Sequence, residues 1–309
     1  MAFTLRKPSS GGTVGLDIDG RYLAAAQVAD GRVVRRASVE LPAGIVQDGE
    51  VADAEALAKN LKSLVADARL PRNVRLGVSN QQIVVRVIEL PPIDDEKQRH
   101  AAVRYQASEA IAMPLNEAIL DHQLAGYADA PDGTARMQVV VVAARREMIE
   151  ALLEAVKRAG LRADGIDLDA FALVRLLAVN GHGSEDSARV FCHLAGVSNL
   201  AVAVGSSCFF ARPLSAVWDE PDAGSRLAEE IRLSIDYYGT QPRAKPVREI
   251  VLSGPGSSDE ELVESLAAHL GIPVEVAAPL GQIESTGLGP DEDPHRYTVA
   301  AGLALGASA

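Results

Sequence analysis

Val14-Gly15-Leu16-Asp17-Ile18-Asp19-Gly20-Arg21-Tyr22-Leu23-Ala24-Ala25-Ala26-Gln27-Val28 reads as an apolar strand, a tight polar turn at Asp19-Gly20-Arg21, and a second apolar strand. Asp-Gly between two apolar runs is a strong hairpin signal, because glycine takes the positive φ of the turn without a Cβ penalty. The same design recurs downstream. Arg189 to Leu194 is a strand, Ala195-Gly196-Val197-Ser198-Asn199 a small polar turn, and Leu200 to Val204 a strand again. Each hairpin leads through a glycine into a third short strand, Gly31 then Arg32 to Val39, and Gly205 then Cys208 to Arg212. Two copies of a three-strand opening, each followed later by helix and strand, predict a duplicated α/β domain. A cleft between the halves would receive both turns.

Outward from the first hairpin, Asp53 to Ala68 has helical spacing and Val74 to Val78 returns as a strand, which completes a β-β-β-α-β unit. Gln82 to Leu90 is a β-branched strand closed by Pro91-Pro92, and Asp94 or Asp95 caps a helix running to about Ile111. Ala118 to Leu124 and Met137 to Ala143 read as strands, with a helix from Arg146 to Ala159. The β-α-β-β block at about 82–143 has no counterpart in the second half and reads as an insertion. A strand at Ala163 to Leu168 and a helix from Asp169 to Val179 lead to the polar linker Asn180 to Asp186. After the second hairpin come a helix to Tyr238, a strand at Val247 to Leu252, the loop Ser253-Gly254-Pro255-Gly256-Ser257-Ser258, and a helix to Leu270. A short strand follows at Val274 to Ala277, and Tyr297 to Leu305 is a small-residue helix.

The composition narrows the function classes. The 309-residue chain can bury a large core and divide into subdomains. Its hydrophobic content is 48% with only 4% aromatic, so that core is Val, Leu, Ile and Ala. A net charge of −12 argues against a nucleic-acid-binding surface and against broad attachment to anionic lipid. No apolar run has the length of a membrane span. Met1 to Gly12 lacks a signal-peptide core and is expected to be a disordered tail, which points to the cytoplasm. Cys192 and Cys208 lie on neighbouring predicted strands and read as two buried thiols acting as small hydrophobes. The histidines show no metal-ligand spacing.

Three turns are candidates for a nucleotide: Asp19 to Arg21, Ala195 to Asn199, and Ser253 to Ser258. The last joins a strand to a helix, where free backbone N–H groups and the helix dipole favour an anion. Asp167 and Asp169 read equally well as ligands of water or metal and as caps of the following helix. Trp218 stands alone and reads as packing.

Within the duplicated plan, this ordered set resembles the actin-like ATPase superfamily, and in it the PilM family of type IV pilus assembly proteins, relatives of the cell-division protein FtsA. The most family-specific stretch is Arg86-Val87-Ile88-Glu89-Leu90-Pro91-Pro92-Ile93-Asp94-Asp95-Glu96, followed by Arg104-Tyr105-Gln106-Ala107 and Ile111-Ala112-Met113-Pro114. Gly165 to Leu173, Glu229 to Tyr238, Ile250 to Ser257 and Tyr297 to Leu305 resemble the crossing between halves, the nucleotide-side helix, the adenosine motif and the final helix. The resemblance implies an actin-like, duplicated ribonuclease H-like, two-lobed fold. Subdomain 1A would be 13–81 with 160–180, the insertion of 1C type 82–159, and the second domain (2A with a reduced 2B) 188–309. It places a nucleotide against Asp17, Asp19, Gly20 and Arg21, against Gly196, Val197, Ser198 and Asn199, and against Glu230, Gly254, Gly256 and Ser257.

Three departures bear on ATP and Mg²⁺. Asp19 stands where the family usually has glycine, beside the phosphates. Cys192-His193-Leu194 stands in place of Asp-x-Gly, whose Asp organises Mg²⁺. Pro255 removes one N–H donor. The expectation is weak or absent ATP and Mg²⁺ binding, no catalytic or metal-ligating residue, and a cytoplasmic scaffold held at the inner face of the membrane by a partner. The resemblance makes that partner the cytoplasmic tail of a PilN-like inner-membrane protein, in a groove between 1A and 1C, alongside other pilus assembly proteins. The exposed edge at Gln82 to Leu90 is a candidate for that groove. The alternatives are an active ATPase or small-molecule kinase of the same superfamily, and an FtsA-like filament-forming tether. The second ranks lower because no amphipathic membrane helix ends the sequence.

Overall fold

The computed structural model describes residues 12–130, 132–178, 186–278, 280, 284–285 and 292–306. The expected tail and most of the expected linker at 180–186 lie outside the described residues. In the first half, β1 (Thr13–Ile18) pairs antiparallel with β2 (Tyr22–Ala29), and β2 with β3 (Arg32–Glu40). A small hairpin of β4 (Val46–Gln47) and β5 (Glu50–Val51) precedes α1 (Ala54–Asp67), whose first turn is capped by the Asp53 carboxylate accepting from the amides of Glu55 and Ala56. β6 (Asn73–Val78) then lies parallel to β1.

The insertion follows: β7 (Val84–Leu90), α2 (Glu96–Ala110, capped by Asp95), β8 (Ala118–Asp129) and β9 (Ala135–Arg145). β9 is the centre of a three-stranded antiparallel sheet, with β7 and β8 at its edges. Period-two alternation gives this sheet two apolar faces. Ile88, Met137, Val139 and Val141 pack under Val103 and Ala107 of α2. Val85 and Val140 join the core of the first half.

After α3 (Arg146–Arg158), β10 (Arg162–Leu168) lies parallel to β6, and α4 (Asp169–Leu177) ends the half. The second half repeats the plan with β11 (Ala188–His193), β12 (Asn199–Val204), β13 (Ser207–Pro213), α5 (Ala223–Gly239), β14 (Val247–Ser253), α6 (Glu260–Leu270) and β15 (Val274–Val276). Two-residue β16 (Glu284–Ser285) joins the outer edge of β3, and α7 (Thr298–Leu305) follows.

The two sheets are separate and share one strand order, β3-β2-β1-β6-β10 and β13-β12-β11-β14-β15. Each has two antiparallel pairs followed by two parallel ones. The duplication read from the hairpins is therefore the architecture.

Two boundaries differ from the sequence reading. The helix at 146–158, expected in the insertion at 82–159, packs on α1 instead. Its face of Met148, Ile149, Leu152, Ala155 and Val156 belongs to the same core as Leu57, Leu61 and Leu64. The apolar stripe follows a partner that is distant in sequence.

The second difference concerns the helices that close each half. α4 rests on β11, β12 and β13 of the second sheet, whereas α7 rests on β1, β2 and β6 of the first. The expected unit 188–309 thus gives its last helix to the other lobe. Gly15 and Gly302 make this possible: a Cβ on Gly15 would stand 1.9 Å from the Ala300 carbonyl oxygen, and one on Gly302 2.1 Å from that of Ala172. α4 and α7 meet through Ala172, Leu173, Val299 and Leu303, all essentially without solvent exposure.

Both cysteines are buried and free, with thiol pKa values pushed up to about 12 by burial. They are not on neighbouring strands, because β12 lies between β11 and β13.

Candidate functional site between the lobes

Asp19 occupies the tip of the first hairpin and is 5% exposed. Its Oδ1 accepts from the backbone N–H of Arg21 and of Tyr22, each at 2.8 Å, and its Oδ2 accepts from the N–H of Gly196 at 2.7 Å. The first two bonds fold the turn; the third crosses the cleft and ties the first lobe to the second. Burial raises the Asp19 pKa, and the amide donors oppose that rise. Gly20, at φ 93°, supplies the left-handed residue of the turn. Gly196 must lack a side chain, since a Cβ there would be 2.6 Å from the Asp19 carbonyl oxygen.

Arg21 reaches across the cleft to the second lobe. Its guanidinium forms a two-pronged pair with Asp219 at 2.5 and 2.9 Å and lies 5.9 Å from the centre of the Trp218 ring. A third link between the lobes is the hydrogen bond from the Ser79 hydroxyl to the Asn199 side-chain oxygen. Val197 contributes its carbonyl, which accepts from Asn199 Nδ2 at 2.9 Å. The Ser198 hydroxyl is buried with no hydrogen-bond partner among the described residues.

The third loop is closed rather than open. Pro255–Ser258 forms a short 3₁₀ turn. The Gly256 N–H donates to the Leu194 carbonyl at 3.0 Å, and the Ser257 N–H and hydroxyl both donate to the Gly254 carbonyl. Gly254 sits at φ 86° directly against the Leu194 backbone, and a Cβ on Gly256 would stand 2.8 Å from both Leu194 and the Trp218 ring. Ser257 Oγ also contacts His295 Nδ1 at 3.1 Å. Glu230 is engaged within its own lobe, accepting from the amides of Ser215 and Ala216 and pairing with Arg212 at 3.3 Å.

Two carboxylates lie buried behind the hairpin. Asp17 Oδ2 and Asp169 Oδ1 have no hydrogen-bond partner among the described residues. Asp17 is raised well above the carboxylate range by burial and then by the charges of Asp169 and Asp19. Asp169 is pushed up to about 8 by burial, then by Asp167 and Asp19. Asp169 caps nothing: no side-chain cap bond starts α4, and its oxygen fills the space left by Gly77. Asp167 faces away, into an ion pair with Arg175 at 2.8 Å. His193 is buried, with its pKa lowered to about 3 by burial and then by His295.

These residues form a joint between lobes more than a receptacle. Phosphates would need the free amides of the two hairpin turns. Those of Arg21, Tyr22 and Gly196 are already bonded to a carboxylate, and that of Gly256 to a carbonyl. No group of three or more His, Cys, Asp or Glu able to hold a metal occurs among the described residues. The sequence reading did not single out Ser79 or Asp219, and it set Trp218 aside as packing. Ser79 had a signal, since it directly follows a central parallel strand, where α/β clefts collect their residues. Asp219 and Trp218 had none.

A second concavity lies between the insertion and the first lobe. It has a volume of about 510 Å³, and its walls include Ile119, Gln123 and Val142 on one side and Ile166, Phe171 and Arg175 on the other. The free edge at β7 does not face it. β7 runs beside β13, and Glu89 is paired with Arg243 of the second lobe at 2.8 Å. The strands of the insertion at this groove are β8 and β9.

The family model for the type IV pilus assembly protein PilM matches residues 16–203, more than half of the chain. The chain belongs to the PilM family. Among solved structures, this PilM family member is similar to a chain of the PilM–PilN type IV pilus biogenesis complex, with TM-score 0.82 and 24% identity over 97% of this chain and 100% of that one. The cytoplasmic domain of EpsL, from the type II secretion system of Vibrio cholerae, matches at TM-score 0.52 and 14% identity, over 95% and 94% of the two chains. MreB 5 of Spiroplasma citri, bound to AMPPNP, matches at 0.54 and 10%, over 96% of each. The fold of this PilM family member is thus the actin-like fold. No helix among its described residues is long and apolar enough to cross a membrane.

Proposed function

We propose that this chain is a cytoplasmic scaffold of type IV pilus assembly, held at the inner face of the membrane by a PilN-like protein whose cytoplasmic tail enters the groove between the first lobe and the insertion. The observation that carries this reading is the groove of about 510 Å³, with apolar walls interrupted by polar groups such as Asp121, His122 and Arg175, and bordered by strand β8. An extended tail suits such a site, because a sheet edge supplies main-chain partners and the walls supply side-chain pockets. The fold match to a chain solved with PilN supports the choice of partner.

The lobes are joined by protein groups in place of a nucleotide, and ATP binds weakly or not at all. The bonded amides of Arg21, Tyr22 and Gly196 support this part of the reading. A second reading, an active ATPase, draws on Asp17 and Asp169, two buried carboxylates with unpartnered oxygens near the first turn. Titration of a synthetic N-terminal tail of the cognate PilN-like protein, with and without Mg²⁺-ATP, separates them. Micromolar binding of the tail, unchanged by nucleotide, supports the scaffold. Low-micromolar binding of Mg²⁺-ATP by calorimetry, or turnover, refutes it.

A further inference from the structure

The same groove is lined by a cation with no hydrogen bond among the described residues. Arg75 lies on β6, between β10 and β1 in the first sheet, and lines the cavity. Its side chain is only 15% exposed. The Asp167 carboxylate oxygen nearest to it is 3.7 Å away, beyond hydrogen-bond reach. That oxygen already accepts from Arg175 Nη2 at 2.8 Å, and the other Asp167 oxygen accepts from the Leu168 amide at 2.9 Å. Arg175 Nη1 is held by the Gly302 carbonyl at 3.0 Å. Two guanidiniums thus share one carboxylate, and Arg75 keeps five N–H donors without a hydrogen bond among the described residues. Burial lowers its pKa most; Asp167 and, less, Asp164 oppose this, and Arg175 adds to it. Gly165 keeps the guanidinium's flank clear, for a Cβ there would crowd it at 3.1 to 3.4 Å.

A largely buried guanidinium whose donors make no hydrogen bond among the described residues favours a planar two-oxygen partner, because its forked donors match a carboxylate two-pronged. Other residues lining the groove, Ile119, Val142, Ile166 and Phe171, are apolar. We propose that the groove wall at Arg75 is a carboxylate seat, which receives an Asp or Glu side chain flanked by apolar residues on the segment that occupies the groove. This rests on the groove reading given above and adds the chemistry by which the groove selects its occupant.

The test uses the full chain and a fluorescent synthetic peptide of the cytoplasmic tail of the cognate PilN-like protein, read by anisotropy. Gln123→Trp fills the groove from an exposed wall position and tests the groove itself; Arg75→Gln tests the seat. Thermal melts check that both variants are folded. The expected result is binding abolished by Gln123→Trp and weakened at least tenfold by Arg75→Gln, with partial rescue in Arg75→Lys. Exchanging the tail's acidic residue for its amide should weaken wild-type binding equally and have no further effect on Arg75→Gln. Loss of binding in Gln123→Trp with no change in Arg75→Gln overturns the seat and leaves the groove standing. A tail with no Asp or Glu that still binds in the groove does the same. Binding insensitive to Gln123→Trp removes the groove, and the seat with it.

Discussion

Asp19→Asn is the smallest change that cuts a bond between the lobes and leaves the hairpin whole. The amide oxygen of the asparagine still accepts from Arg21 and Tyr22, which now lie 2.8 Å from Oδ1. Its nitrogen would face the Gly196 N–H, which sits 2.7 Å from Oδ2, and two donors cannot bond. Losing a charge-assisted bond and orphaning a buried N–H costs about 1.5–3 kcal/mol. Part of this is returned, because burial disfavours the charge on Asp19. The expected net loss is about 2 kcal/mol, a fall in Tm of roughly 4 °C for a protein of this size. Asp19→Gly goes further and frees all three amides. They then form a cradle for phosphate, and affinity for Mg²⁺-ATP should rise at least about tenfold, the equivalent of ~1.4 kcal/mol. Scanning calorimetry reads the first effect and titration calorimetry the second. An Asp19→Asn melt within ~1 °C of wild type, together with an Asp19→Gly variant that binds nucleotide no better, would refute the idea that this carboxylate holds the joint in place of phosphate.

Asp169 gives a pH-dependent outcome. Its pKa of about 8 in the folded state exceeds the ordinary 3.8, so the folded protein binds the extra proton between those values and loses stability as pH rises through that window. Asp169→Asn removes this slope, so its advantage over wild type should grow from pH 5 to pH 8, by at most about 1.4 kcal/mol per unit; equal urea midpoints at both pH values would contradict it. Gly196→Ala sets a Cβ 2.6 Å from the Asp19 carbonyl and should part the lobes, seen as faster amide exchange at Tyr22 and Gly196. Leu152→Ala, on a helix first assigned to the insertion, should destabilise the first lobe by about 2–5 kcal/mol, since Leu152 is 6% exposed in that core. Arg21→Ala should change stability by under about 1 kcal/mol, because the Arg21–Asp219 pair is more than 40% exposed on both sides.

Local pattern accounts for what the sequence made legible. The hairpins at 13–28 and 189–204, the cap at Asp95, and the β-branched strand before Pro91-Pro92 all depend on neighbours a few residues away. The small β4–β5 hairpin follows the same Asp-Gly rule at Asp48-Gly49, with φ positive at both, but its two-residue strands give no periodicity to read. What stayed hidden depends on distance. The stripe on α3 announces an apolar partner and not that the partner is α1. Asp19 is legible as a carboxylate in the hairpin turn, yet its bond to Gly196 needs the second lobe in place. Glu230 sits on a charged helix face, and only the fold brings the amides of Ser215 and Ala216 to it.

The exchange of closing helices fixes an order of events during synthesis. The face of β1 and β6 that carries Gly15 and Gly77 is roofed by α7, and a Cβ on Gly77 would meet Leu303 at 2.9 Å. That face is made at residues 13–78, and its roof only at 298–305. Such contacts across almost the whole chain slow folding. On the ribosome, the first lobe can pair its strands and dock α1 and α3 while one apolar face stays open to chaperones and to other nascent chains. A release before Thr298 would leave the first lobe unsealed although none of its strands is missing.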